Sequence, residues 1–173
     1  MKRWLLALWS IEVHIRAIIG LARYLDRRLP WAGHYVALVI DRLLLILYGV
    51  DVTSARVNVR KLSVSHPVGV LLGGNGIVSP GRVVVMAGVK FVGRSPTNPE
   101  YLARHKEGRV FVLGDNVVIG AGSILVGPLD VCDNVVIGAM SLVNRSITEP
   151  GVYVGIPAVK ISDDVTEEWV AHL

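Results

Sequence analysis

From Leu113 onward the chain divides into sixes: LGDNVV, IGAGSI, LVGPLD, VCDNVV, IGAMSL, VNRSI. An aliphatic residue opens each block (Leu113, Ile119, Leu125, Val131, Ile137, Val143), and a small residue follows it in several, as at Gly114, Gly120 and Gly138. The same phase reads upstream in LGGNGI (72–77), VSPGRV (78–83) and VVMAGV (84–89). A repeat fixes the architecture before local propensities do. Each block of six is one flat strand plus a turn, and three blocks close one triangular coil. The aliphatic openers stack inside the prism, while Gly, Asn and Asp at the corners accept the backbone angles that sharp turns require. The pattern predicts a left-handed parallel β-helix, an exception to the right-handed crossover rule. A β-sandwich would repeat at roughly 8 to 12 residues instead.

The run GRSPTNPEYLARHKEGR, from Gly93 to Arg109, has no such phase. A loop over 93–110 therefore leaves the prism and returns, and a loop of this length in a compact domain is usually functional or disordered.

Residues 1–50 read differently. Charged residues at 12, 16, 23, 26, 27, 28, 41 and 42 interrupt every apolar run before the roughly 18 to 20 residues of a bilayer span. The spacing predicts two amphipathic helices, about 3–28 and 31–48, separated by Leu29-Pro30. This segment holds seven Lys or Arg against three acidic residues, whereas the remaining 123 residues carry eleven of each, so the whole net charge of +4 lies here. Two readings stay open for its apolar faces: packing on the β domain or a neighbouring subunit, or peripheral contact with an anionic membrane surface. The Arg residues lack interleaved base-stacking or recognition patterns, so no nucleic acid is expected.

With 173 residues, one domain with a sizeable core is expected. It is organised as a helical segment (1–50), a β-helix (51–161) and a short C-terminal helix or tail (162–173). A single cysteine, Cys132, and the lack of a legible secretory leader point to the cytoplasm.

Within the stretch LSVSHPVG, His66 is the chemically informative residue. Imidazole, largely neutral at pH 7, is suited to act as a general base. A satisfied core histidine is the alternative. Cys132 sits second in a regular block, where a small residue is simply accommodated.

Taken together, Asp51 fifteen positions before His66, the His-x-x-Gly of His66 to Gly69, the Arg104-His105 pair in the loop, GAGSILVG and the ending VYVGIPAVKI resemble the hexapeptide-repeat acyltransferases. Among these the chain is most similar to serine acetyltransferases, over roughly two thirds of its length. The resemblance implies an acetyl-CoA-dependent O-acetyltransferase acting on a hydroxyl-bearing small molecule, in a homotrimer or a dimer of trimers, with no metal. It implies His66 as base, Asp51 as the residue orienting it, and Arg104 and His105 as acceptor-binding residues. Ser65 takes the acceptor-side position where the family has an Asp. Gly120, Ala121, Gly122 and Ala139 would lie along the pantetheine arm, and Lys160 would meet the nucleotide phosphate. For the small residues, the demands of tight turns are an equal explanation. Gly69 and the Gly73-Gly74 corner are candidate oxyanion donors.

Other readings remain open. They are an O-acetyltransferase for a sugar or polysaccharide precursor, a non-catalytic trimeric scaffold, and a zinc hydratase, which would need three histidines across adjacent coils.

Overall fold

The structure, a computed structural model, describes residues 10–29, 31–94 and 97–165. All six openers of the regular repeat are buried in one continuous axial core. Their burial follows from the period: strand side chains alternate faces, so an aliphatic residue every six positions always returns to the inside. The strands are β1 (Val50–Val52), β2 (Val57–Val64), β3 (Val70–Gly73), β4 (Ile77–Val85), β5 (Lys90–Gly93), β6 (Phe111–Leu113), β7 (Val117–Ile119), β8 (Ile124–Gly127), β9 (Leu129–Val131), β10 (Val135–Ile137), β11 (Leu142–Val143), β12 (Gly151–Gly155) and β13 (Ala158–Ser162).

One prism face is the parallel ladder β1-β3-β5-β8-β11. The long strands β2 and β4 bend across a corner, so each serves the other two faces in turn. β12 continues the β4-β7-β10 ladder of another face, and its antiparallel hairpin with β13 closes that end. This is the left-handed parallel β-helix that the repeat predicts.

The upstream phase is one residue off from the sequence reading. Val78 is half-buried, and Val84 belongs to a separate cluster with Val118 and Val136, while Ile77, Val83 and Val85 lie in the axial core. The four-residue corner Gly73-Gly74-Asn75-Gly76 adds one residue to the coil and shifts every later position. Val118 and Val136 sit between inward neighbours on β7 and β10, so this second cluster lies on the outer side of that face.

Three corner columns result. At one, Asp and Asn stack: the Arg82 N–H donates to Asp115 Oδ1 at 2.7 Å, the Asp115 N–H to Asp133 Oδ1 at 2.7 Å, and Asn116 Nδ2 to Asn134 Oδ1 at 2.9 Å. Asn116 and Asn134 hold φ of 59° and 56°, the left-handed conformation Asn tolerates best after Gly. At the second corner the loop departs after β5 and returns at β6, carrying α3 (Pro99–Glu107). Phe91 and Phe111 meet edge to face at 5.0 Å where it leaves and re-enters. The Tyr101 hydroxyl donates to Asn75 Oδ1 at 2.7 Å and pins the loop to the coil below. The third corner column carries His66.

Helices α1 (Ile11–Arg28) and α2 (Gly33–Tyr48) pack on each other and on the first coil. The expected N-terminal extension of α1 to residue 3 and the C-terminal segment after Val165 lie outside the described residues. Ile15, Ile19 and Ala22 of α1 and Ala37 and Leu44 of α2 are buried. A buried carboxylate anchors α2 to the start of the β-helix: Asp41 accepts from the Ser54 N–H at 3.0 Å and from the Ser54 hydroxyl. No helix among the described residues is long and apolar enough to cross a membrane.

Candidate active site

His66 does not sit in a strand. The ladder aligns Ser65 with Met86 and Gly69 with Gly88. The chain therefore takes five residues from Ser65 to Gly69 where it takes three from Met86 to Gly88 and from Gly120 to Gly122. His66-Pro67 is an expansion of that corner. His66 adopts φ of 56°, an uncommon conformation for a residue with a Cβ, and its side chain is exposed. The imidazole is thus directed away from the core, which settles the choice between core residue and presented group in favour of presentation.

The same corner column contains the predicted cofactor-side residues. Along it, N–H to C=O bonds run from Gly88 to Val68 at 3.0 Å, from Gly122 to Ala87 at 2.8 Å and from Met140 to Ala121 at 2.8 Å. Ala87, Ala121 and Ala139 therefore stack above Val68, one coil apart, at roughly 5 Å per coil. Ala121 and Ala139 are partly or fully exposed, whereas Gly120 is buried. The reasons for smallness differ accordingly. A Cβ at Gly120 would lie 2.6 Å from the Ala139 nitrogen, so coil stacking alone demands glycine there. The alanines instead form a low, apolar outer edge leading to His66. Ala87 belongs to this edge and is not conspicuous in the sequence, because its block lies in the slipped phase.

The remaining predicted residues are placed as follows. Asp51 is exposed on β1, one coil below the corner of His66, and no hydrogen bond joins the two. Ser65 is buried, and its hydroxyl donates to Glu12 of α1, whose other carboxylate oxygen accepts from Ser63 Oγ at 2.8 Å. Glu12 is invisible to sequence reasoning, since 53 positions separate it from Ser65. The candidate oxyanion donors do not converge on His66. The Gly69 N–H is engaged with Gly49 O at 3.0 Å, and Gly73-Gly74 turn at the loop corner beside Thr53.

Arg104 and His105 lie on α3 at the loop corner, so a single chain does not bring them to His66. Arg104 pairs with Asp130 and lies 3.6 Å from Glu100, and its Nε donates to Arg109 O at 3.0 Å. The His105 ring lies 5.5 Å from the Tyr101 ring, and its carbonyl accepts from Arg56 at 3.0 Å. Lys160 pairs with Glu149 at 3.2 Å and Asp163 at 2.6 Å, near the Asp-Asn corner. Its hydrogen bond to Asp163 chiefly raises its pKa, so it stays an ammonium. In Cys132, burial pushes the thiol pKa up, opposite to what a reactive thiolate needs.

No protein-family model matches the chain. The serine acetyltransferase of Staphylococcus epidermidis is 30% identical over 151 residues, 87% of this chain and 62% of that protein. The serine acetyltransferase of Staphylococcus aureus is 32% identical over 105 residues, 61% of this chain and 45% of that protein. The chain spans less than two thirds of the length of these curated relatives. Among solved structures, the serine acetyltransferase of Neisseria gonorrhoeae superposes with a TM-score of 0.75 at 22% identity, covering 99% of this chain and 63% of that one. That of Brucella abortus, in complex with coenzyme A, gives 0.71 at 22% identity, covering 87% and 56%. With the serine acetyltransferases, hexapeptide-repeat acyltransferases, this chain shares both its left-handed β-helix and its sequence similarity.

Proposed function

We propose that the chain is an acetyl-CoA-dependent O-acetyltransferase whose acceptor is serine or a similar small hydroxyl compound, acting in the cytoplasm as a homotrimer. The observation that carries this reading is the expanded corner: it presents His66 at the foot of the edge formed by Ala87, Ala121 and Ala139. The names of the relatives support the reaction class, and the coenzyme A complex of one structural neighbour supports the co-substrate.

His66 takes the proton from the acceptor hydroxyl as its oxygen bonds to the thioester carbonyl carbon. The imidazolium then returns that proton to the departing sulfur as the C–S bond breaks, leaving an O-acetyl ester and free CoA. No side chain is acylated. Asp51, one coil below, is assigned to orient the ring and favour the imidazolium, through a contact that forms when the acceptor is bound. The outer edge of Ala121 and Ala139 admits the pantetheine arm, with Gly120 and Gly122 keeping the coils in register beneath it. Arg104 and His105 belong to the site contributed by a neighbouring copy, since they stand at a different corner of the prism from His66. Lys160 reaches a nucleotide phosphate only by leaving Glu149 and Asp163.

Release of CoA from acetyl-CoA by the purified protein, followed with a thiol reagent, tests this function. Release with L-serine is expected. Release with sugars and not with serine would transfer the chain to glycan modification, and no release with either would refute the reaction.

A further inference from the structure

Helix α1 is fixed to strand β2 at two points. Near its C-terminal end, Arg23 donates to Val57 O at 2.8 Å and Asn58 Oδ1 at 3.2 Å; near its N-terminal end, Glu12 accepts from Ser63 and Ser65. Between these points Ile15 and Ile19 pack into the core with β2, and two adjoining cavities lie alongside that contact. One, of about 280 Å³, is lined by Glu12, Arg16, Lys61 and Arg82; the other, of about 230 Å³, by Arg16, Arg23 and Arg60. Arg16 and Leu62 are common to both.

Among the described residues, five basic side chains line these two cavities against one lining carboxylate, Glu12, which two serine hydroxyls engage, while Asp115, which accepts from the Arg82 N–H, borders Lys61 and Arg60 and offsets part of their charge. Among the described residues, neither Arg16, Arg60 nor Lys61 has a carboxylate within ion-pair distance. Like charges held together in a cleft repel one another, and a bound anion relieves that repulsion. The cations come from three elements, with Arg16 on α1, Lys61 on β2 and Arg82 on β4, so they surround one volume from different directions. A tetrahedral, multiply charged oxyanion meets such an arrangement better than a planar carboxylate, and guanidinium forks suit it.

We propose that the α1–β2 cleft is a binding site for a phosphate group, carried by a soluble phosphate ester or by a lipid headgroup. Two of its five cations, Arg16 and Arg23, come from the positively charged segment 1–50. Lys61 is five residues from His66 along the chain, roughly 15 Å of extended backbone, so the cations stand apart from the acetyl-transfer corner, which the cleft meets through Glu12 and Ser65.

The test uses the full chain at constant ionic strength, with inorganic pyrophosphate as the soluble probe and phosphatidylcholine vesicles doped with phosphatidate as the lipid probe. The expected result is a saturable rise in melting temperature with pyrophosphate, or cosedimentation with the doped vesicles. Either should be weakened roughly tenfold or more in the double variant Arg16→Gln, Lys61→Gln, corresponding to loss of one or more charge-assisted contacts. Saturation by pyrophosphate without vesicle binding assigns a soluble ester; vesicle binding without it assigns a headgroup. Lys106→Gln, on α3, should leave both responses unchanged. Arg16 and Lys61 are exposed, and each single variant repeats the test should the double one unfold. No saturable response to either probe, or an equal response in the folded variants, would overturn the proposal.

Discussion

Replacing Gly120 by Ala is expected to destabilise the fold, while the same replacement at Gly20 stabilises it. At Gly120 the new methyl carbon would stand 2.6 Å from the Ala139 nitrogen and 2.8 Å from Gly138 C and Ile137 O, all backbone atoms of the next coil. Ordinary contact begins near 3.4 Å, so the coils must separate locally by roughly 0.8 Å. The Gly120 N–H already donates to Ile137 O at 2.7 Å, and that bond lengthens with any such separation. Overpacking of this kind costs about 1 to 3 kcal/mol. Taking about 2 kcal/mol, the melting temperature of a chain this size falls by roughly 4 to 8 °C. Gly20 lies inside α1 with no atom within 4 Å of the place an added methyl would take, so alanine there gains about 0.5 to 1 kcal/mol of helix propensity. Equilibrium urea unfolding of the two variants beside wild type measures both. A Gly120→Ala protein within about 0.5 kcal/mol of wild type, or effects of the same sign at the two sites, would refute the coil-stacking reasoning.

Leu125→Ala removes a fully buried side chain from the prism axis and should cost about 2 to 5 kcal/mol in the same urea assay. Burial chiefly raises the Asp41 pKa, so the folded state holds its proton to higher pH than the unfolded chain does. Stability should therefore fall as pH rises from the ordinary carboxylate value to the raised one, and Asp41→Asn should flatten that part of a stability profile. Asp115, whose pKa is lowered chiefly by the Arg82 N–H, acts in the opposite sense: its contribution is lost as pH falls below the ordinary value. Asp51→Asn should lower turnover less than His66→Ala does, since it orients the base without replacing it, as steady-state rates would show.

The repeat made the fold legible because each opener carries the same instruction: Leu113, Ile119, Leu125, Val131, Ile137 and Val143 are all inward. The phase failed at Val78 and Val84 because a corner glycine run can absorb an additional residue without leaving a gap in the hydrophobic pattern. His66 was legible as chemistry, but the corner expansion that presents it was not, since it becomes visible only when Ser65–Gly69 is stacked on Met86–Gly88. The contact of Glu12 with Ser65 and the burial of Asp41 on Ser54 join a helix to a coil across the first part of the chain, and no periodicity records such pairings. The ion pairs of Arg104 and Lys160 were equally hidden, because Asp130 and Asp163 read as ordinary polar residues of a turn and a tail.

The central claim is that His66 is the base, and turnover of a His66→Ala variant tests it most directly. His66 is exposed and, among the described residues, its side chain makes no hydrogen bond, so the variant should keep wild-type urea stability. CoA release at saturating acetyl-CoA and L-serine is expected to fall by about 10²- to 10⁴-fold, the usual share of a general base. A folded His66→Ala protein that turns over at the wild-type rate would contradict the account.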